Sequence, residues 1–560
     1  MDYQLSLPLS TTTPRLSFKV HRRKPELVTP AKPTPRELKP LSDIDDQQGL
    51  RFQIPFIFFY RPNLTCTLDP VQVIRRALGQ TLVYYYPFAG RLWEGPNRKL
   101  AVDCTGEGVL FIEADADVTF AELEEADALL PPFTCLEELL FDVEGSSELL
   151  NTPLLLVQVT RLKCGGFIFA LRINHTMIDG AGLSLFLKSL CELACGLHAP
   201  SVPPVWERQL LIASAYARVT HAHREYDDNV EPEAVVVGDV LVTKSFFFGP
   251  DEIAAIGRLL PHGLHSTTFD ALTSFLWRCR TVAMSPDPDT EMRMTCIVNS
   301  RSKLRNPPIP SGYYGNVFAI PVAIATAKDL MEKPLEFPLR LIQEAKSSVT
   351  EDYIRSMTAL MATRGRPMFV AAGNYIVSDL RHFDLGKVDF GPWGKPVYGG
   401  PAKTAIGSFI AVSVYMPFKN KKGETGTVVP ISLPALAMEK FVEELNGVFM
   451  AGSFARVGLL MSNRVWTDLR VRLSFGVFPD PEMITETEVL SNPPEREETE
   501  EAHELAESKA KYSRDREVLQ DFFARETGGF RGGKRAMEKG LSGSGSGGSG
   551  GGLGGDYQQG

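Results

Sequence analysis

The sequence predicts a mixed α/β (α+β) protein with two domains of similar size. Its 560 residues are 44% hydrophobic and 23% charged, which is typical of folded globular proteins, and the length favours two or more domains. Short β-rich runs alternate with helical runs on both sides of a proline-bearing, charged stretch at residues 200–233. Because the composition is similar on the two sides, we expect comparable domains with a cleft between them.

The first domain is assigned to residues 1–199, where apolar runs of strand length and helix length follow one another. The predicted strands are 52–60, 154–161 and 167–173, and the predicted helices are 71–85 and 183–190.

Residues 200–233 are predicted to be a crossover, because a helical run at 207–216 gives way to a segment poor in apolar residues. Its expected role is to connect the domains rather than to catalyse. The second domain is assigned to residues 234–450. Its predicted helices are 269–283 and 434–447, and its predicted strands are 295–299 and 409–415.

Residues 451–560 form an atypical tail that we expect to be mostly flexible. Glutamate crowds residues 494–507, and residues 541–555 are nearly all glycine and serine. The run 547–551 fits the G-x-S-x-G pattern of a hydrolase nucleophile, but neither a strand nor a helix flanks it. We therefore interpret it as a linker.

Charge and cysteine content exclude several classes of protein. A net charge of −9 offers no basic surface for nucleic acid, and no apolar run approaches the roughly 18 residues of a membrane span. The eight cysteines lack metal-ligand spacing, so we expect reduced thiols, no metal site and no disulfide framework. The first residues lack the features of a signal peptide. The sequence therefore predicts a cytoplasmic protein, and nothing in it implies an oligomer.

The most informative residue is His175, because the apolar run 167–174 delivers it to a predicted strand-to-helix junction. Asp179 follows four residues later, an offset that places two side chains on one helical face. A neutral imidazole is a suitable general base for an alcohol or amine. A second His-x-x-x-Asp copy at 223–227 has no strand before it, so the context favours His175.

A second motif lies at 388–396, where glycine, proline and aromatic residues are dense. Taken alone, it predicts a turn held by the buried side chain of Trp393. Two further runs, 84–92 and 307–316, are also turn-rich and are structural when taken alone.

In this order the motifs resemble those of the BAHD acyl-CoA-dependent acyltransferases of plants, whose signatures are His-x-x-x-Asp and a later Asp-Phe-Gly-Trp-Gly. The resemblance covers about residues 10–449 and includes Asn299-Ser300-Arg301 and Tyr314-Gly315-Asn316. The runs 41–47 and 161–167 are similar to the branch of alcohol and benzyl alcohol acyltransferases.

The resemblance implies two chloramphenicol-acetyltransferase-like domains with a central channel between them. Acyl-CoA, a co-substrate rather than a permanently bound cofactor, enters from one side and a small alcohol from the other. His175 then acts as the general base, and no acyl-enzyme forms. Asp179 is implied to turn away from the substrate and pair with Arg301, while Gly182 supports the loop.

The resemblance also assigns roles around Asp389, which we take as a second catalytic candidate that supports the architecture or the CoA side. Trp393, with Gly391 and Gly394 in the same loop, is a candidate for oxyanion stabilisation. Pro392 departs from the family pattern and alters the path of the loop.

Ser378 and Lys395 are candidate CoA contacts, with exposed turn residues as the alternative. The sequence leaves a second function open, namely a catalytically impaired protein of the same fold that binds acyl-CoA or an alcohol. A hydrolase, the third option, finds no serine or water-activating group beside His175. The identities of donor and acceptor stay open.

Overall fold

The computed structural model describes residues 16–133, 135–227, 241–371, 373–403, 405–406 and 410–458. All of them fall within one compact unit. The glutamate-rich and glycine-rich stretches of the predicted tail lie outside the described residues, as does the predicted boundary at residue 234.

The described part of the chain contains both helices and strands in an alternating order. The helices are α1 (Pro70–Tyr84), α2 (Phe120–Glu125), α3 (Leu136–Leu139), α4 (Gly180–Ala194), α5 (Pro250–Gly257), α6 (Thr268–Met284), α7 (Ala327–Glu332), α8 (Glu336–Ser348), α9 (Glu351–Thr363) and α10 (Ala435–Gly458). The strands of the first half are β1 (Val20–Arg22), β2 (Glu26–Val28), β3 (Leu38–Pro40), β4 (Gln53–Tyr60), β5 (Arg91–Glu94), β6 (Leu100–Asp103), β7 (Val109–Ala116), β8 (Leu155–Leu162) and β9 (Phe167–Asn174). The strands of the second half are β10 (Leu241–Phe248), β11 (Glu291–Cys296), β12 (Val298–Asn299), β13 (Phe318–Ala319), β14 (Val322–Thr326), β15 (Asn374–Asp379), β16 (Tyr398–Pro401), β17 (Ala405–Ile406), β18 (Ile410–Lys419) and β19 (Thr425–Pro434).

The first sheet has the strand order β1, β7, β8, β9, β4, β16. Strand β2 also pairs with β7, along the part that β1 does not cover. Strand β9 lies inside this sheet, and all eight of its residues are buried. Its alternate side chains enter different clusters: Phe167 and Phe169 pack in one, and Ile168 and Ala170 in another. This is the two-residue period of a strand with both faces covered.

The second sheet has the strand order β10, β19, β18, β15, β11, β14. Helices α5, α6 and α10 pack together beside it, and the core there includes the fully buried Trp277 of α6. The parallel pairs are β11 with β15 and β15 with β18, whereas the other neighbours are antiparallel.

The two halves are interleaved through β16, because Tyr398 pairs with Phe59 of β4. A strand from the second half therefore forms an edge of the first sheet. A small third sheet joins β3, β6 and β5, and β12 pairs with β13. No helix of the described ranges is both long and apolar enough to cross a bilayer.

The predicted elements are largely confirmed, with three differences. The helix predicted at 207–216 is only a short 3-10 turn, Arg208–Leu211, because the Arg208 side chain is drawn into the core. The strand predicted at 295–299 breaks at Ile297, so that β11 and β12 belong to different sheets. The last helix continues to Gly458, beyond the predicted end at 447.

Candidate active site

His175 lies immediately after β9, at the start of a 3-10 turn. Its backbone N–H donates to the carbonyl of Phe52 (2.9 Å), and the Asn174 side chain accepts from the Thr176 N–H (3.1 Å). The imidazole is partly buried beside the rings of Phe52 and Phe318, with centroids 5.5 and 6.3 Å away. The backbone therefore fixes the point from which the side chain projects, and the imidazole lies between the two aromatic rings.

Asp179 faces away from the imidazole and is fully engaged elsewhere. One carboxylate oxygen accepts from Arg301 Nη1 (2.7 Å) and the Val317 N–H (3.0 Å). The other accepts from Arg301 Nη2 (2.9 Å) and from the Gly182 N–H (2.9 Å), where it caps α4. The offset of four residues thus serves to anchor a helix and an arginine.

The two environments shift the pKa values of both groups downward. Burial lowers the pKa of His175 below its ordinary value, although hydrogen bonding and the Asp179 charge oppose this. Burial works against ionisation of Asp179, but Arg301 and the backbone N–H donors outweigh it and hold the pKa below its usual range. The site therefore contains a neutral imidazole and an ionised carboxylate at neutral pH.

Gly182 is required for close packing of α4. A Cβ atom there would lie 2.0 Å from the carbonyl oxygen of Tyr314, which a backbone cannot tolerate. The same carbonyl belongs to a segment whose next residue, Gly315, accepts a hydrogen bond from Arg301 Nη2 (2.7 Å). The predicted residues Asp179, Gly182 and Arg301 therefore lie together around the His175 loop.

Three further residues support this loop and were missed from the sequence. Asn316 Nδ2 donates to the carbonyl of His175 (2.8 Å) and to Asp45 Oδ1 (2.8 Å). Arg208 faces Asp45 (3.1 Å) and donates to the carbonyl of Met177 (2.8 Å). Asp45 and Asn316 are 271 positions apart, so spacing could not have revealed the contact, although both occur in runs that carry the family resemblance.

The loop around Asp389 lies at the other end of β9. Phe390 packs against Phe169 (5.3 Å), and Trp393 packs edge-on against Phe167 (5.4 Å). Phe167 is the first residue of the eight-residue strand β9 and His175 follows its last residue, so the two are about 20 Å or more apart at roughly 3.3 Å per residue. The structure therefore does not bring Asp389, Trp393, or their neighbours Gly391 and Gly394 to His175.

Pro392 lies in a hydrogen-bonded turn of this loop. The Gly394 N–H donates to the Gly391 carbonyl (3.0 Å), which closes a four-residue turn with Pro392 in its second position. Proline is favoured at that position because its fixed φ matches the turn. The Pro392 carbonyl accepts from Asn63 Nδ2 (2.6 Å), while Asp389 caps the loop by accepting from the Gly391 N–H (2.8 Å).

A cavity of about 540 Å³ lies beside the second sheet. Its wall includes Thr268 at the start of α6, Ile297 and Val298. The wall also includes Lys346 and Arg381, which are paired with Asp270 and Asp379, and the side chain of His382. Ser378 is next in sequence to Asp379 of this wall, whereas Lys395 is exposed in the loop with Trp393.

The cavity and His175 share the small sheet of β12 and β13. Val298 of the cavity wall pairs with Ala319, and the adjacent Phe318 is the aromatic neighbour of His175. The small sheet therefore connects the cavity wall to the surroundings of the imidazole.

The second His-x-x-x-Asp copy forms a structural cluster. His223 contacts Glu225 Oε1 (2.9 Å) and Ser356 Oγ (2.9 Å), an arrangement that resembles a hydrolase triad. However, Ser356 is only 1% exposed, and its oxygen also accepts the N–H groups of Thr220 and His221. A hydroxyl so enclosed cannot reach a substrate, so this cluster gives no support to the hydrolase alternative.

Among the residues that the structure describes, no group of three or more His, Cys, Asp or Glu side chains is arranged to hold a metal ion. In the same part of the chain, His175 Nδ1 is a buried atom without a hydrogen-bond partner, so no serine or cysteine is bonded to it.

Comparison with known proteins identifies relatives along most of the chain. A family model described as the Transferase family matches residues 18–447. The chain is 79% identical over 449 residues to a (Z)-3-hexen-1-ol acetyltransferase of Arabidopsis thaliana, covering 80% of this chain and 99% of that protein. It is 56% identical over 443 residues to a benzyl alcohol O-benzoyltransferase of Nicotiana tabacum, covering 78% of this chain and 95% of that protein.

Solved structures share the fold at low sequence identity. Vinorine synthase superposes with a TM-score of 0.59 at 20% identity, over 77% of this chain and 98% of its own. TRI101 of F. sporotrichioides, solved with coenzyme A and T-2, gives a TM-score of 0.55 at 18% identity, over 73% of this chain and 97% of its own. The fold is therefore the two-domain chloramphenicol-acetyltransferase-like fold.

Fold, histidine site and relatives together define an acyltransferase that forms esters from an acyl-CoA and an alcohol. The chain belongs to the Transferase family, that of the BAHD acyltransferases, and groups with the plant alcohol acyltransferases. The alternative of a catalytically impaired protein receives no support from these relatives.

Proposed function

We propose that this enzyme transfers an acetyl group from acetyl-CoA to the hydroxyl of a small unsaturated or aromatic alcohol, with His175 as the general base. The observation that carries the proposal is the neutral, partly buried imidazole at the end of β9, fixed by its backbone while Asp179 is held away by Arg301. An imidazole in this state accepts a proton near neutral pH.

The reaction proceeds by direct attack. His175 takes the proton of the alcohol as the oxygen attacks the thioester carbonyl, and a tetrahedral oxyanion forms. When that intermediate collapses, the C–S bond breaks, the new C–O bond remains, and the imidazolium returns the proton to the CoA sulfur. No protein nucleophile is needed. The imidazole begins and ends the cycle neutral, which agrees with its lowered pKa.

The cavity beside the second sheet is the proposed entrance for acyl-CoA, and with it one arm of the predicted central channel. Its volume of about 540 Å³ suits an extended, flexible chain. Lys346 and Arg381 are already neutralised by Asp270 and Asp379, which suits the uncharged amides of the pantetheine arm. Ser378, beside this cavity, is proposed to contact acyl-CoA, and Lys395 is proposed to contact only the exposed end of this co-substrate.

The loop of Asp389 is proposed to support the architecture. Asp389 accepts a hydrogen bond within the loop, and Gly391 and Gly394 close its turn. Trp393 packs against the start of β9, and His175 follows the other end of that strand. In this proposal none of the four touches the reacting atoms.

The choice of substrates rests on the relatives. The names of these relatives specify acetylation of (Z)-3-hexen-1-ol and benzoylation of benzyl alcohol. The higher identity to the acetyltransferase favours acetyl-CoA as donor and (Z)-3-hexen-1-ol as acceptor. Benzoyl-CoA with benzyl alcohol is the second pair to test.

The test measures thiol release for both donors with both alcohols, using the wild type, His175→Ala, and His198→Ala as a control at an exposed histidine. We expect alcohol-dependent release that falls by at least about 10²-fold in His175→Ala and is unchanged in His198→Ala. CoA binding, followed by titration calorimetry, should be nearly intact in both. Normal turnover by His175→Ala would overturn the assignment of the base.

A separate experiment tests the cavity. Ile297→Trp fills it from a position that is 36% exposed, and Ile212→Trp is a matched control at 37% exposure outside the cavity. We expect the KM for acetyl-CoA to rise about tenfold in Ile297→Trp alone, with the KM for the alcohol little changed. An equal effect of the two variants would argue against the cavity.

The enzyme is further proposed to be a cytoplasmic monomer. All eight cysteines are free thiols, which suits a reducing compartment. Sedimentation of the purified chain would test the oligomeric state, and fractionation of cells expressing it would test the compartment.

A further inference from the structure

Two aromatic rings flank the imidazole of His175. The ring centroids of Phe52 and Phe318 lie 5.5 and 6.3 Å from the imidazole centroid, and the rings are tilted against it by 59° and 56°. A phenyl ring carries no group that could donate or accept the proton of the reaction. What these two rings determine is the size and polarity of the space beside the base.

Phe318 is held in place by its backbone. It pairs with Asn299 in the small sheet of β12 and β13, and the N–H of the preceding Val317 donates to the Asp179 carboxylate (3.0 Å). Its side chain is only 6% exposed and belongs to a core cluster of the protein. Close packing of this kind leaves the ring little freedom to move when a substrate enters.

The Phe318 ring lies between the small sheet and the imidazole. Val298 of the cavity wall pairs with Ala319, and the next pair of the same sheet is Asn299 with Phe318. Successive residues of a strand point to opposite faces, so Phe318 projects from the face that Val298 does not occupy. An acyl group that passes from the cavity around this sheet to the base therefore meets the Phe318 ring.

Phe52 belongs to a different part of the chain, the turn that precedes β4. Its N–H donates to the Leu50 carbonyl (2.8 Å), and its own carbonyl accepts the His175 N–H (2.9 Å). These bonds fix the backbone on both sides, while the ring is partly exposed. A partly exposed ring beside the base can contact a substrate that enters from solvent.

Two further apolar side chains lie close to this turn. Gly49 allows Phe369 to pack against it, because a Cβ atom at Gly49 would lie 2.6 Å from Phe369 Cε1. The sulfur of the neighbouring Met368 would be 3.6 Å from the same Cβ, and Met368 is 44% exposed. The surface near Phe52 is therefore apolar and open to solvent.

The charged groups of the same turn are paired. Asp46 accepts from Arg51 (2.8 Å) and from Arg366 (2.6 Å), and Arg51 also contacts Glu94 (3.1 Å). Paired charges leave the apolar side chains as the contacts that this surface offers, which suits the hydrocarbon part of an alcohol.

We propose that Phe318 and Phe52 are specificity-determining residues on the two sides of the base. Phe318 limits the size of the acyl group that reaches His175 from the cavity, and Phe52 contacts the hydrocarbon part of the alcohol. An acetyl group fits beside a fixed ring, whereas a benzoyl group needs space that the ring fills. The proposal rests on the proposed function, with the cavity as the entrance for acyl-CoA.

The first test uses the wild type with one alcohol and donors of increasing size, namely acetyl-CoA, butanoyl-CoA and benzoyl-CoA. We expect kcat/KM to fall by at least about tenfold from acetyl-CoA to benzoyl-CoA. Equal use of these two donors would overturn the role of Phe318, and this result does not depend on any variant being folded.

The second test compares Phe318→Leu with Phe133→Leu, a matched control that is also 6% exposed but belongs to a different core cluster. The measured quantity is the ratio of kcat/KM for benzoyl-CoA to that for acetyl-CoA. This ratio does not depend on the fraction of folded enzyme, so a merely structural loss leaves it unchanged. We expect it to rise about tenfold in Phe318→Leu and to change less than twofold in Phe133→Leu.

The third test compares Phe52→Ala with Phe141→Ala, a control at another partly buried phenylalanine. Here the ratio is kcat/KM for (Z)-3-hexen-1-ol over that for ethanol, which has the hydroxyl but lacks the long hydrocarbon chain. We expect this ratio to fall about tenfold in Phe52→Ala and to stay within twofold in Phe141→Ala. The ratio of the two donors should stay within twofold in Phe52→Ala.

Unchanged ratios in Phe318→Leu and Phe52→Ala, with His175→Ala inactive, would overturn the specificity roles alone. An effect of Phe318→Leu on the alcohols and of Phe52→Ala on the donors would overturn the assignment of the two sides. Normal turnover by His175→Ala would instead overturn the proposed function.

Discussion

The guanidinium of Arg301 donates to both carboxylate oxygens of Asp179, at 2.7 and 2.9 Å. The pair spans 122 positions of the chain and ties the segment after β12 to the start of α4. The N–H groups of Gly182 and Val317 also donate to this carboxylate, so its oxygens are occupied away from the imidazole. We therefore propose an architectural role for the aspartate of the His-x-x-x-Asp motif.

Removing Arg301 should destabilise the fold, because Asp179 would remain buried without its counter-charge. For Arg301→Ala we expect the free energy of unfolding to fall by about 3 kcal/mol in urea denaturation. Lys421→Ala, which breaks an exposed pair with Asp127, is the control and should cost less than about 1 kcal/mol. Equal midpoints for the two variants would show that the buried pair contributes nothing.

The pH dependence of activity follows from the lowered pKa of His175. Its ordinary value is 6.5, and burial moves the folded value below that. The base is active when neutral, so kcat/KM at pH 6.5 should exceed half of its maximum and reach half only at more acidic pH. A profile of kcat/KM from pH 4.5 to 9 checks this. A half-maximal rate above pH 6.5 would contradict the lowered pKa.

Gly182 should not tolerate a side chain. Gly182→Ala would place a methyl group 2.0 Å from the Tyr314 carbonyl oxygen, so α4 or the Asn316 segment must shift. We expect a loss of about 2 kcal/mol or more in stability and at least a tenfold loss in kcat. Gly257→Ala, in α5 with no atom within 4 Å of the added carbon, is the control. That variant should be neutral or slightly stabilised.

Substitution of Pro392 should have little effect on turnover. Pro392→Ala keeps the turn from Gly391 to Gly394 and the acceptor for Asn63, so kcat should stay within about twofold and stability within about 1 kcal/mol. Deletion of Pro392 removes that acceptor and should lower stability without raising kcat. A large gain in turnover on deletion would instead restore the hypothesis of an impaired enzyme.

The sequence by itself determined the features that depend on local pattern. Short runs of apolar residues predicted β9 and the neighbouring strand, predicted at 52–60 and found at 53–60, and the position of His175 at the end of β9 followed from the first of these runs. The resemblance then named Asp179 and Arg301 as partners. A strand or a helix can be predicted in this way because neighbouring residues impose its period on the chain.

Only the tertiary structure decided which distant residues meet. It placed the Asp389 loop at the far end of β9 from His175, and it paired β16 with β4 of the first sheet. It also brought Asn316 within hydrogen-bonding distance of Asp45. No local pattern encodes such contacts, because buried donors and acceptors find their partners only when the packed core brings separate segments together. The sequence thus supplied the base, and the fold supplied the groups that orient it.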